Sequence, residues 1–221
     1  MKKLQVLAAC LTLLAAGAAQ AALYSSLEVG PANYMTITTG TSTPTYGGGS
    51  FDPAKLDGVT LPYIYCVDID LDHAIDVPGS YNATYNTAGT TAENSALNSL
   101  VATRIAWLLT EFATDIDVNE KALQASIWNQ LNSSWSMLDS PEQNQDYLKF
   151  NEYTTAVSGI NVADASLIDN FYWLSVTTKD TGAIRQGMVT VTPIPGTLML
   201  LGSGLAGLVG IARFRRKRSA D

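Results

Sequence analysis

Two side chains in this 221-residue sequence have the chemistry to bond to each other. Cys66 lies in Leu61-Pro62-Tyr63-Ile64-Tyr65-Cys66-Val67-Asp68-Ile69-Asp70, which alternates like a half-buried strand. The other cysteine, Cys10, falls inside an export signal, so Cys66 is the one thiol expected in the mature protein. A lone thiol in an exported protein needs a partner or a purpose. The candidate partner is Gln124, in Lys121-Ala122-Leu123-Gln124-Ala125-Ser126-Ile127-Trp128. Attack of the thiolate on the Gln124 carboxamide would expel ammonia and leave a Cys–Gln thioester, a masked electrophile. Such a bond lasts only where water is excluded, and the apolar neighbours Tyr65, Ile127 and Trp128 are the candidate shield.

Other chemistries fit less well. A buried inert cysteine is the blander reading, since free cysteine is among the most buried residue types. A cysteine hydrolase would need a base. The sole histidine, His73, stands seven residues past Cys66, and odd spacing on a strand puts two side chains on opposite faces. Asp68, Asp70 and Asp72 would share one face of a strand, and calcium takes several oxygen ligands. The glycine and terminal glutamate of a calcium loop do not follow, so these carboxylates read as a solvated acidic edge. No metal and no cofactor is expected.

The elements that must position the pair follow from periodicity. Residues 23–38 read as strand, 39–50 as loop, and 59–71 as the strand carrying Cys66. Residues 76–93 read as loop, with a short strand around Tyr81–Tyr85. Leu97, Val101, Ile105, Leu108 and Phe112 recur every three or four residues and predict a helix over 94–112. A second helix starts at Asp117, with Glu120 three residues on as a capping box, and carries the stripe Leu123, Ile127, Trp128 and Leu131. Ser140-Pro141 opens a third. Residues 171–178 and 187–192 read as a hairpin across Asp180-Thr181-Gly182. Strands flanking a helical middle segment predict an α+β domain over 23–192.

The ends carry targeting features. Residues 1–22 have the layout of a signal peptide: Lys2 and Lys3, an apolar run, and Ala19-Gln20-Ala21. Leu7-Ala8-Ala9-Cys10 fits the letters of a lipobox but sits too near the start, so Cys10 reads as an ordinary member of the apolar run. Residues 22–195 keep six Lys and Arg against nineteen Asp and Glu, a net charge of about −13, which argues against nucleic acid as a partner. After Pro193-Ile194-Pro195, Gly196 to Ala212 is uncharged over 17 residues, and Arg213, Arg215, Arg216, Lys217 and Arg218 follow. A helix there would span roughly 25 Å, short of a typical hydrocarbon core, and its basic end would stay cytoplasmic. This pattern predicts a C-terminal transmembrane helix.

Two family resemblances rest on these residues. The tail over 193–218 resembles the PEP-CTERM sorting signal of Gram-negative bacteria, through Pro193, Pro195, Gly196 and the cluster Arg213, Arg215 and Arg216, although Ile194 stands where that family commonly has Glu. The resemblance implies an exosortase-type membrane enzyme as a partner and delivery to the cell surface or exterior. The ectodomain resembles the bacterial thioester domains of adhesins over about 61–131. The matching residues are Tyr65-Cys66-Val67-Asp68, Arg104-Ile105-Ala106-Trp107-Leu108-Leu109 and Leu123-Gln124-Ala125-Ser126-Ile127-Trp128. This implies a binding protein, not an enzyme, whose Cys66–Gln124 bond acylates an amine or hydroxyl on a target once, without turnover. The alternative is a structural exopolysaccharide or surface-matrix protein of the PEP-CTERM type with no covalent chemistry.

Overall fold

A computed structural model of the chain describes residues 25–38, 44–68, 75, 78–92, 97–113, 116–141 and 144–192. The chain divides into two units, Met1–Val191 and Thr192–Asp221. The strands of the first unit are β1 (Ser25–Val29), β2 (Ala32–Thr38), β3 (Pro44–Phe51), β4 (Ala54–Leu56), β5 (Val59–Thr60), β6 (Tyr65–Cys66), β7 (Gly79–Asn86), β8 (Ser136–Met137), β9 (Phe171–Thr178) and β10 (Ile184–Val191). They form one sheet in the order β5-β4-β1-β7-β9-β10-β6-β3-β2-β8. Every described pairing is antiparallel. The helices are α1 (Ser99–Phe112), α2 (Ile116–Leu131), α3 (Asn144–Val157) and the single turn α4 (Ala165–Ile168).

The expected α+β class, with a few strands flanking a helical middle, is therefore corrected to a mostly antiparallel ten-stranded sheet carrying few helices. The error has a physical source. Pro44–Phe51, rich in Gly, reads locally as loop, and Gly79–Asn86, rich in Asn and Tyr, as loop with only a short strand around Tyr81–Tyr85, yet both are eight-residue strands. Their neighbours decide the matter. β7 is paired along both edges, by β1 and β9, and β3 is paired along β2. Strand preference follows such pairing more than intrinsic backbone bias. The transmembrane helix expected over 196–212 lies outside the described residues, and among those no helix is long and apolar enough to cross a membrane. The sorting segment 193–218 and the signal peptide 1–22 also lie outside them.

The hairpin expected at the C-terminal end forms as β9 and β10, with Trp173 opposite Val189 and Leu174 opposite Met188. Gly182 closes its turn at φ +66°, a left-handed conformation that glycine adopts without penalty. Helix α1 starts at Ser99, later than the expected 94. Asn98 caps it, with its side-chain oxygen accepting from the N–H groups of Leu100 and Val101.

Helix α2 is the centre of the packing. Residues 122 through 128 are all buried, so the helix is enclosed on every side. It contacts α1 and α3 on one side and β2, β3, β6 and β8 on the other. Trp128 packs edge-on against Trp135, with ring centroids 5.7 Å apart.

Helices α1 and α4 meet the sheet at a second point, the bend after β7. Gly89 has φ +75°, and a Cβ there would lie 2.8 Å from Ala102 Cβ and 2.9 Å from Ile168 Cγ2. Gly89→Ala is accordingly expected to cost about 1–3 kcal/mol, from overpacking and a disfavoured backbone conformation. Urea unfolding should show a lower midpoint with an unchanged slope. A midpoint equal to wild type would mean that this contact is not tight.

Candidate functional site: Cys66 and Gln124

Strand β6 is two residues long and sits deep in the sheet. Along one edge it pairs with β10, Cys66 opposite Met188 and Tyr65 opposite Val189. Val67 then donates its N–H to the Gly187 carbonyl, so the chain continues along β10 beyond Cys66. Along the other edge β3 supplies a single pair, Ser50 opposite Tyr65. At Cys66 that second edge has lost its strand neighbour.

Gln124 occupies the gap. The Cys66 N–H donates to Gln124 Oε1 at 2.8 Å, and Gln124 Nε2 donates to the Cys66 carbonyl at 2.8 Å. The carboxamide thus stands in for one residue of a missing strand, matching a donor and an acceptor of the same residue. Both residues are 0 % exposed. A buried amide must find such partners, because leaving it unbonded in an apolar interior is costly. The sequence pair 58 residues apart is brought into direct contact, with the electrophilic carbon of Gln124 fixed against the residue that carries the thiol.

The other expected site residues are distributed as follows. Tyr65 is buried on β6 beside Cys66, its ring 5.8 Å from that of Tyr63. Ile127 and Trp128 are buried one turn after Gln124, on its side of α2 by helical period. The Trp128 indole N–H is buried with no hydrogen-bond partner among the described residues. Pro193, Pro195, Gly196, Arg213, Arg215 and Arg216 lie outside the described residues, as do His73, Asp70 and Asp72. Among the described residues no cluster of His, Cys, Asp or Glu is arranged to hold a metal.

Sequence reasoning misses a polar rim around the pair. By spacing, Glu120 belongs to a capping box. Helix α2 instead begins at Ile116, and the Glu120 carboxylate accepts from Ser50 Oγ at 2.9 Å and from Asn33 Nδ2. Glu120, Gln124 and Trp128 recur every fourth residue, so one face of α2 runs from this carboxylate to the amide to the indole. That spacing is the signal that could have found it. Asp68, expected on a solvated acidic edge, is only 3 % exposed, and its carbonyl accepts from Gln186 Nε2 at 3.0 Å.

Burial sets the electrostatics. It pushes the Cys66 thiol well above its ordinary range, and the nearby Asp68 carboxylate adds to that rise. Burial likewise raises Tyr65, with Glu120, Tyr63 and Tyr153 contributing, and raises Tyr63 to about 12. Cys66 is therefore a neutral thiol at physiological pH. It becomes a nucleophile only as its proton is taken.

The arrangement suits acyl chemistry in one respect. The Cys66 N–H already touches the Gln124 carbonyl oxygen, where negative charge would develop when sulfur adds to the carbon. A fixed N–H at 2.8 Å is within the range of oxyanion-stabilising donors. The site thus sets a buried cysteine and a buried carboxamide side by side in an antiparallel sheet. No protein-family model, curated protein or solved structure matches the chain.

Proposed function

We propose that the chain is an exported surface or matrix binding protein in which Cys66 and Gln124 close an internal thioester that attaches it to a target. The observation that carries this reading is the pair of hydrogen bonds between the Gln124 carboxamide and the backbone of Cys66. They hold the carboxamide against the backbone of the residue that carries the thiol, in a site without solvent exposure where a thioester would be protected from hydrolysis. Closing the bond consumes the thiol proton and releases ammonia. The released nitrogen is the group that donates to the Cys66 carbonyl, while the retained oxygen keeps its N–H partner. An amine or hydroxyl on the target would then take the acyl group and restore the thiol, once per molecule. The export signal over 1–22 and the sorting signal over 193–218 support a surface or extracellular location, with an exosortase-type enzyme as the processing partner.

A structural reading is favoured by the same geometry seen from the backbone. The Gln124 amide satisfies an edge that β3 leaves open, and that alone accounts for its burial. On this reading the protein belongs to a surface matrix and has no covalent chemistry.

Intact mass under denaturing conditions separates the two. The bonded protein is expected to be lighter than its sequence by one ammonia, to resist thiol alkylation, and to gain methylamine at Gln124. A full sequence mass with an alkylatable Cys66 would select the structural reading.

A further inference from the structure

We infer that Asp68 is the proton-transfer group of the bond-forming step between Cys66 and Gln124. The inference rests on the thioester reading and adds the group that such a reaction requires. A neutral buried thiol cannot attack an amide until its proton has somewhere to go, and the leaving nitrogen cannot depart as ammonia until it gains a proton. Asp68 stands two residues after Cys66 on a chain segment that continues along β10, anchored by Val67 N–H to the Gly187 carbonyl and by Gln186 Nε2 to the Asp68 carbonyl. Extended backbone puts residues two apart on one face. Both residues are buried, at 0 % and 3 % exposure, so this geometry sets the carboxylate and the thiol on one enclosed side of the segment. Their electrostatic coupling agrees with this placement, since the Asp68 charge acts on the Cys66 thiol.

The step balances within the chain. The Cys66 S–H bond breaks and its proton passes to the Asp68 carboxylate. Sulfur adds to Gln124 Cδ, with the oxygen held by the Cys66 N–H. The C–N bond then breaks, and Nε2 leaves as ammonia with the proton returned by Asp68. The carboxylate is regenerated and no external reagent is consumed.

The test uses the full-length protein opened with ammonia, which regenerates free Cys66 and the Gln124 amide, then freed of ammonia. Reclosure is followed by intact mass. Asp68→Asn is expected to slow reclosure by about a hundredfold or more, the usual scale of general acid–base catalysis, and Asp68→Glu to restore most of the rate. The wild-type rate should fall as pH drops through the titration of Asp68 and level off above it. The other titratable groups around this strand are Tyr63 and Tyr65 on its own segment, Glu120 from α2 and Tyr153 from α3, all coupled to Tyr65. A folded Asp68→Asn protein that closes at the wild-type rate would overturn the role of Asp68 and leave the bond intact. Should that variant not fold, the wild-type profile decides. A rate climbing tenfold per pH unit without levelling, in step with the thiolate, would overturn the role. A wild-type protein that never loses ammonia would instead remove the bond itself, and the role with it.

Discussion

Gln124→Ala is expected to destabilise the unbonded protein by about 3–6 kcal/mol, against about 1–2 kcal/mol for Cys66→Ala. The asymmetry comes from what each substitution leaves behind. Removing the Gln124 amide strips the Cys66 N–H and C=O of their 2.8 Å partners in a fully buried place. Each orphaned group costs about 1–3 kcal/mol, and the cavity adds to that. Removing the sulfur leaves both backbone bonds standing. Set against a typical total stability of about 5–15 kcal/mol, Gln124→Ala is the substitution that threatens folding. A closed thioester changes the comparison. Both variants then also lose a crosslink between residues 58 apart, which by the loop-entropy model is worth up to about 4 kcal/mol. The Cys66→Ala loss then rises to about 5–6 kcal/mol, and the double variant should be no worse than the worse single one, since both remove one interaction. Urea unfolding of the three variants reads this directly. A Cys66→Ala loss of only about 1–2 kcal/mol would mean that no bond was present. Additive losses would mean that the two residues do not act together.

The pairing of Cys66 with Gln124 is legible in residue type and order, while its geometry is not. Periodicity assigns side chains to faces of a strand or helix, and it says nothing about which strand edge lacks a neighbour. The two-residue length of β6 and the single Ser50–Tyr65 pair beside it are products of the whole sheet. For the same reason the glutamine's partners, both on the backbone of Cys66, cannot be read locally. Alternation groups Asp68 with Asp70 and Asp72, but carboxylates default to solvent, and the interior position of Asp68 escapes such a reading. Glu120 fits a capping box by spacing. Tertiary partners on β2 and β3, Asn33 and Ser50, take its carboxylate instead. Helix α2 is recognisable from four apolar residues, although its full enclosure through 122–128 depends on small and polar members such as Ala122, Ala125 and Ser126. Ser126 tolerates that burial because its hydroxyl donates to the Ala122 carbonyl at 2.8 Å.

Alkaline unfolding should separate the bonded from the opened protein. Cys66 and Tyr65 both have their ionisation raised by burial above ordinary values of 9.0 and 10.0. In the unfolded chain they lose protons near those ordinary values, while in the native state they keep them. The unfolded state thus binds fewer protons above pH 9, and stability must fall as pH rises. The stabilising contribution is complete below the ordinary values and is lost as pH climbs toward the raised ones. Each such group contributes a slope of about 1.4 kcal/mol per pH unit. The ammonia-opened protein, with its thiol restored, should begin to lose stability just above pH 9 and steepen above pH 10, when Tyr65 and Tyr63 join. A thioester has no proton to lose, so the bonded protein should hold its stability to about pH 10 and then follow the slope of the buried tyrosines alone. Cys66→Ala, which lacks the thiol in either form, should show the same later onset. Urea midpoints taken after brief incubation at each pH give these slopes before base can hydrolyse the bond. An isolated protein that weakens between pH 9 and 10 in step with the ammonia-opened form carries a titrating thiol, and the buried pair is then a hydrogen-bonded cysteine and glutamine with no bond between them.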